Sequence, residues 1–304
     1  MTERITPGML RGTLLNNINS DLVALNRSSN ELSSGKKILE ASDNPSGAGQ
    51  VIDLQSQLDA LSSYTSNIQD GISWQNVASG AMASMSNILQ RVRELVVEAS
   101  NGTNGPGALK SIAGAVEQLT DAIKQEANTQ YGGQYVFAGT ATTTPPYEQG
   151  ENDEYAGNEG TVARAIAPGM SVTVSTNIES LLGNGKEAGD GKLLDVLRTI
   201  SEALNSGSPE AINQLSSTDL NNLDANMEVL LGLQTVSGST TNELQTAATH
   251  VESLQASITQ ALTNVDGPDV VATTIAYSNE QAAYEAALRA GAQIVQESLL
   301  NFLQ

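Results

Sequence analysis

One histidine, no cysteine and a loose run of carboxylates bound what this chain could do as a catalyst. A zinc centre of the HExxH kind takes two histidines one helical turn apart, and His250 alone cannot form it. Set beside Val251 in a helical seam, His250 reads as structural or solvent-facing. The absence of cysteine removes disulfides, thiolate nucleophiles and thiolate metal sites together. Gly35-Lys36-Lys37 lacks the hydroxyl residue that follows the lysine of a phosphate loop. It suits a helix C-terminus instead, where glycine and cations belong. Gly47-Ala48-Gly49 is too short for a dinucleotide loop and follows no strand. Glu148, Glu151, Asp153, Glu154 and Glu159 offer the hard oxygen ligands that Ca2+ takes, but without EF-hand spacing. A solvated acidic loop is the plainer reading. The expectation is a protein with no active site, no metal and no cofactor.

The elements that would have to position such residues are helices. Hydrophobic content is 39% and charged content 16%, while aromatics reach only 3% of the 304 residues, which favours thin helical packing over a thick core. Fourteen Lys and Arg against 34 Asp and Glu give a formal charge of −20, a surface that phosphate backbones and anionic membranes repel. Nucleic acid is therefore not an expected partner. No apolar stretch approaches the ~18 residues of a membrane span. The opening MTERITPGML has neither a basic n-region nor an apolar h-region, so export by another route is expected if the protein works outside the cell.

Near the N-terminus Leu15, Ile18, Leu22, Leu25 and Leu32 recur at spacings of three and four, with Ser29 interrupting. Near the C-terminus Tyr277, Tyr284, Leu288, Val295, Leu299 and Phe302 trace a similar stripe. A helix with one narrow apolar stripe needs a partner helix. Asn44-Pro45 breaks the first helix and starts a second, with Asn44 as N-cap and Pro45 at its first position. That helix is expected over 46–100, carrying Leu54, Leu58, Leu61, Ile68, Trp74, Met85, Val92 and Leu95 and ending at the Asn101–Gly107 breaker. Trp74 reads as core between helices. A shorter helix carries Leu109, Ile112, Val116, Leu119 and Ile123.

From about 131 the pattern turns β-prone, with expected strands at 134–138, 161–166 and 171–175 and a turn at Ala167-Pro168-Gly169. Helix returns at 192–204. From 220 to 265 an unbroken three-four alternation predicts a long helix with a polar middle at Gln234, Ser237 and Thr241, stopped by Asp266-Gly267-Pro268. The fold class expected is mainly α: a hairpin-like chain with long coiled-coil helices from both termini and a small β-containing outer domain inserted in the middle. Its expected domains are 1–45 with 266–304, a terminal coiled coil; 46–132 with 205–265, a helical rod; and 133–204, the outer domain.

Two polar runs carry a family resemblance. Leu32-Ser33-Ser34-Gly35-Lys36-Lys37-Ile38 with Ser42-Asp43-Asn44-Pro45-Ser46-Gly47-Ala48, and Gln90-Arg91-Val92-Arg93-Glu94-Leu95 leading into Asn101-Gly102-Thr103, resemble the signature stretches of bacterial flagellins and their hook-associated relatives. Pro45, the run Ala127–Thr140 and the ending Ser298–Gln304 resemble the hook–filament junction branch more than filament flagellins. Asn44 departs from the family's second Asp while keeping N-cap ability. The resemblance implies a structural protein of the extracellular flagellum, exported without a Sec signal. Its partners would be flagellin, hook-associated protein 1, the filament cap protein, an export chaperone and further copies of itself. It also implies an assembly interface formed by Leu15, Ile18, Leu22, Leu25, Leu32, Tyr284, Leu288, Val295, Leu299 and Phe302. A filament-forming flagellin stays open as an alternative, as does a secreted coiled-coil translocator or adhesin.

Overall fold

The computed structural model describes residues 7–101, 104–150, 152–185 and 189–302, with side chains followed as far as Gln293. It is mainly α, with long helices and a small strand-containing region. Helix α1 spans Pro7–Ser34, α2 Pro45–Ser100 and α3 Pro106–Ala127. Strands β1 (Gln130–Tyr131), β2 (Gln134–Tyr135), β3 (Ala163–Ala167) and β4 (Met170–Thr173) follow. Then come α4 (Glu179–Leu182), α5 (Leu193–Ser206), α6 (Pro209–Gln214), a π-helical turn at Leu215–Asp219, α7 (Leu220–Asp266) and α8 (Val270–Phe302). Contacts divide the chain into two compact units, one of residues 1–60 with 254–304 and the other of residues 61–253.

The expected breakers act where their chemistry places them. Asn44 Oδ1 accepts from Gly47 N–H at 2.9 Å, which caps α2 beside Pro45. α7 stops at Asp266 before Gly267-Pro268, and Asp269 Oδ1 accepts from Ala272 N–H at 3.0 Å to open α8. Gly35, at φ +66°, closes α1 in the left-handed position that C-terminal glycines take.

Residues 61–253 hold the core. In α7 the predicted seam is the buried one: Leu223, Leu230, Ser237, Leu244 and Val251 are all nearly inaccessible. On α2 the side chains of Ile68, Met82, Met85, Leu89 and Val92 are buried as well, with the small residues Ala78 and Ala81 among them. The polar middle is paired, as burial requires. Ser237 Oγ donates to Gln75 Oε1 at 2.6 Å and lies 2.9 Å from Ser79 Oγ, while Gln75 Nε2 donates to the carbonyl of Val174 at 3.1 Å. Arg93 grips Asp224 with Nε at 2.7 Å and Nη2 at 3.3 Å, and the order of these pairs makes α2 and α7 antiparallel.

The strand region is smaller than predicted. It is two separate two-stranded hairpins. β1 and β2 turn through Gly132 and Gly133, both at positive φ (+57° and +80°), the conformation a two-residue hairpin demands. The expected strand at 134–138 ends at Tyr135, because Val136, Phe137 and Ala138 bend inward and are buried. β3 and β4 join at the expected Pro168-Gly169 turn. Trp74 is fully buried, as expected, edge-on to Tyr131 at 6.1 Å and beneath the Arg164 guanidinium at 5.8 Å, which Asp70 holds at 2.6 Å.

Asp219, at the end of the π turn, is 2% exposed, and its Oδ2 has no partner among the described residues. Burial holds this carboxyl above the usual Asp range, with a hydrogen bond from Gln214 opposing in part. A carboxyl raised in this way binds its proton more readily when folded than unfolded. Its destabilisation therefore grows as pH rises through that window and is complete above it. Asp219→Asn is expected to raise stability by ~1 kcal/mol at neutral pH, with the gain closing near pH ~3.5. Urea midpoints at the two pH values check this; an equal gain at both would contradict it.

Candidate functional site

α1 and α8 pair lengthwise within the unit formed by the chain ends, and the geometry of that pair is unusual for its lack of a core. Every buried apolar side chain among the described residues lies between Leu61 and Val251. Among the described residues no apolar side chain is buried in α1, or in α8 as far as Gln293. The two helices meet instead through small and polar groups. Ser28 is 6% exposed and donates through Oγ to Glu280 Oε2 at 2.5 Å. Gly291 is buried, and a Cβ added there would stand 3.1 Å from Leu14 Cδ2 and 3.7 Å from Ile18 Cδ1. Half-buried neighbours line the rest of the seam: Asp21, Leu25 and Leu32 on α1, with Ala276, Tyr277, Tyr284 and Ala287 on α8.

This register sorts the residues singled out from sequence. Ile18, Leu25, Leu32 and Tyr284 lie half-buried along the seam. Leu15 and Leu22 stand off it, 59% and 37% exposed, because Leu14 and Ser28 take the inward places. Leu288 is 46% exposed. The side chains of Val295, Leu299 and Phe302 lie outside the described residues, although the α8 backbone runs on to Phe302. Sequence reasoning missed Leu14, Ser28 and Gly291. The signal that could have found them is the alternation of small residues on α8, where Ala276, Ala287 and Gly291 let backbones approach.

Along the pair Leu15, Leu22 and Leu288 stand in water. Met9, Leu10 and Val23 on α1 are exposed, and so are Val270, Val271 and Ile275 on α8. What such an arrangement can do is bury this stripe against another polypeptide, at roughly 25 cal/mol per Å2 of apolar surface.

The residues that could have done chemistry are placed elsewhere. His250 is exposed on α7. Of the acidic group, Glu148, Glu154 and Glu159 are exposed, and Glu151 lies outside the described residues. Asp153 corrects the expectation of a solvated loop. It is 9% exposed and pairs through Oδ1 with the buried Lys124 Nζ at 2.6 Å, and through Oδ2 with Arg198. Lys124 also donates to the carbonyls of Gly150 and Asn152. Tyr155 donates to the Phe137 carbonyl at 2.8 Å, and burial, with Glu179 adding, pushes its phenol up to about 12. Burial also raises Tyr147, which donates to the Gly183 carbonyl at 2.5 Å. These groups lock a loop onto α3 and α5. No helix among the described residues is long and apolar enough to cross a membrane.

Comparison with known proteins gives this geometry a context. Residues 8–142 match the bacterial flagellin N-terminal helical region. The flagellin of Escherichia coli O127:H6 is 29% identical over 249 residues, which is 82% of this chain but 43% of that protein, so the chain spans less than half the length of this curated relative. Among solved structures, a putative flagellar hook-associated protein from Vibrio parahaemolyticus shares the fold at TM-score 0.66 and 20% identity, over 74% of this chain and all of that one. The flagellar junction protein FlgL from Legionella pneumophila does so at TM-score 0.57 and 14% identity, over 71% of this chain and 100% of its own. Residues 8–142 thus resemble the N-terminal helical region of bacterial flagellins, and the chain has the fold of flagellar hook-associated proteins.

Proposed function

We propose that this chain is the hook–filament junction subunit of a bacterial flagellum, of the kind called hook-associated protein 3, and acts by stacking its terminal helices between hook and filament. One observation carries the reading: the α1–α8 pair buries no described apolar side chain of its own and leaves Leu15, Leu22 and Leu288 in water. Two helices in that state gain their stability when a tube of subunits closes around them. In this reading residues 1–45 with 266–304 form the inner layer of the tube. Residues 46–132 with 205–265 form the rod, and 133–204 face solvent. Hook-associated protein 1 lies below, flagellin above, and the cap protein guides growth. Export through the flagellar channel, with a chaperone holding the apolar ends, brings the subunit to its extracellular site. The role is structural and needs no catalysis or cofactor.

The curated match to flagellin over 82% of this chain favours a second reading, a filament-forming flagellin. Seeded addition of the purified chain, watched by electron microscopy, separates the two. A short layer on ends bearing hook-associated protein 1, then competent to accept flagellin, is the expected result. Long filaments from either seed would make the chain a flagellin. No addition to any end would overturn both readings.

A further inference from the structure

The terminal pair has little of its own to fix its register, yet its two helices leave the adjoining linkers at defined points. The linker between α1 and α2, residues 35–44, is organised mostly by local bonds. Asp43 Oδ2 accepts from the amides of Leu39 and Glu40, both at 3.2 Å, and Arg27 reaches from α1 to Asp43 at 3.3 Å. One residue ties this linker to the other end of the chain. Asp266, the last residue of α7 and 6% exposed, accepts twice: its backbone carbonyl from Lys37 N–H at 2.6 Å, and its Oδ1 from Ile38 N–H at 2.9 Å. The first bond satisfies a carbonyl orphaned at the helix C-terminus; the second sets a carboxylate on a main-chain amide. Lys37 stands just after α1, and Asp266 just before α8.

We infer that Asp266 is a positioning residue for assembly: it clamps the start of α8 to the end of α1 and so sets the register in which the two helices present their exposed leucines. This rests on the assembly reading given above. Ser28–Glu280 and Gly291 against Leu14 and Ile18 lie further along the same antiparallel pair, in the alignment the clamp dictates. Leu14 over Gly291 and the Ser28–Glu280 bond hold the seam at single points, and the half-buried residues between them tolerate sliding. The directional bonds at Asp266 add the anchor at the end of the pair where α1 leaves and α8 begins. Gly267 fits the same corner, since a Cβ there would run into the carbonyl of Thr263.

The test uses the full chain with Asp266→Ala and Asp266→Asn, read by amide hydrogen exchange and by seeded addition. In Asp266→Ala, exchange at Ile38 is expected to quicken at least ~10-fold, and α1 and α8 to lose protection, while residues 61–253 exchange unchanged. Asp266→Asn keeps the acceptor oxygen and is expected to stay within ~3-fold of the unaltered chain. Addition to seed ends should slow at least ~10-fold in the alanine variant and recover in the asparagine one. Unchanged exchange at Ile38 in Asp266→Ala, or equal loss in both variants, would overturn the clamp. Fast exchange with normal addition would overturn its role in assembly while leaving the proposed function standing. If the unaltered chain adds to no seed, the proposed function fails, and the exchange measurements alone decide the clamp.

Discussion

A chain ending before Tyr284 is expected to remain folded and soluble but to add to no hook or filament end. The truncation removes Tyr284, Ala287, Leu288 and Gly291, and with them much of the α8 face that meets α1. It removes none of the apolar side chains that are buried among the described residues, which lie between Leu61 and Val251. The core of α2, α3, α5 and α7 is therefore untouched, and its thermal unfolding should move by no more than about 1–2 °C, since ~1 kcal/mol corresponds to several degrees in a domain of this size. Assembly is expected to fall at least ~100-fold, because a lone α1 neither holds its helix nor presents its stripe in register. Circular dichroism melts and pelleting after seeding check the two halves of this statement. Normal addition by the truncated chain would contradict it.

The largest expected effect on folding itself comes from Asp153→Ala. Lys124 is completely buried in the last turn of α3, and its ammonium is held by the Asp153 carboxylate and the carbonyls of Gly150 and Asn152. Burial depresses the Lys124 pKa; Asp121 works against that and Arg198 with it. Removing the carboxylate leaves a buried cation uncompensated, a change that costs about 3–5 kcal/mol. The double substitution Lys124→Met with Asp153→Leu removes both charges and is expected to recover most of the loss, since an apolar pair of similar volume needs no desolvation. Urea unfolding of the single and double variants measures this directly. A single variant within ~1 kcal/mol of the unaltered chain would contradict the buried-pair account.

What sequence could reveal follows from how much of each helix is buried. α7 was legible because its seam faces a core along residues 223–251, so three-four periodicity and burial coincide, and even the polar Ser237 falls on the predicted line. The Asn44-Pro45 and Asp266-Gly267-Pro268 boundaries were legible because their chemistry is local. α1 was legible in its C-terminal stop and in Ile18, Leu25 and Leu32, but not in which face turns inward. A stripe through Leu15 and Leu22 and a stripe through Leu14 and Ser28 share Ile18, Leu25 and Leu32, and periodicity cannot choose between them. The choice was made by Ser28 meeting Glu280 and by the missing side chain of Gly291, far along the chain. The same distance hid the Lys124–Asp153–Arg198 cluster, which looked like solvated charge until the loop folded onto α3 and α5. The β region was over-read because Val136-Phe137-Ala138 has strand composition but is used as an inward-turning apolar plug.

The outward stripe on α1 is the centre of the account, and a chain without native cysteine makes it directly measurable. Leu15→Cys and, as a control on the strand region, Met170→Cys both replace exposed side chains, 59% in each case. Alkylation rates of the two thiols would be compared in the free chain and in the layer formed on hook-associated protein 1 ends. Cys at position 15 is expected to react at least ~10-fold more slowly once the layer has formed, while Cys at position 170 keeps its rate. A thiol at position 15 that reacts as fast in the layer as in the free chain would contradict the account, because the stripe would then still face water.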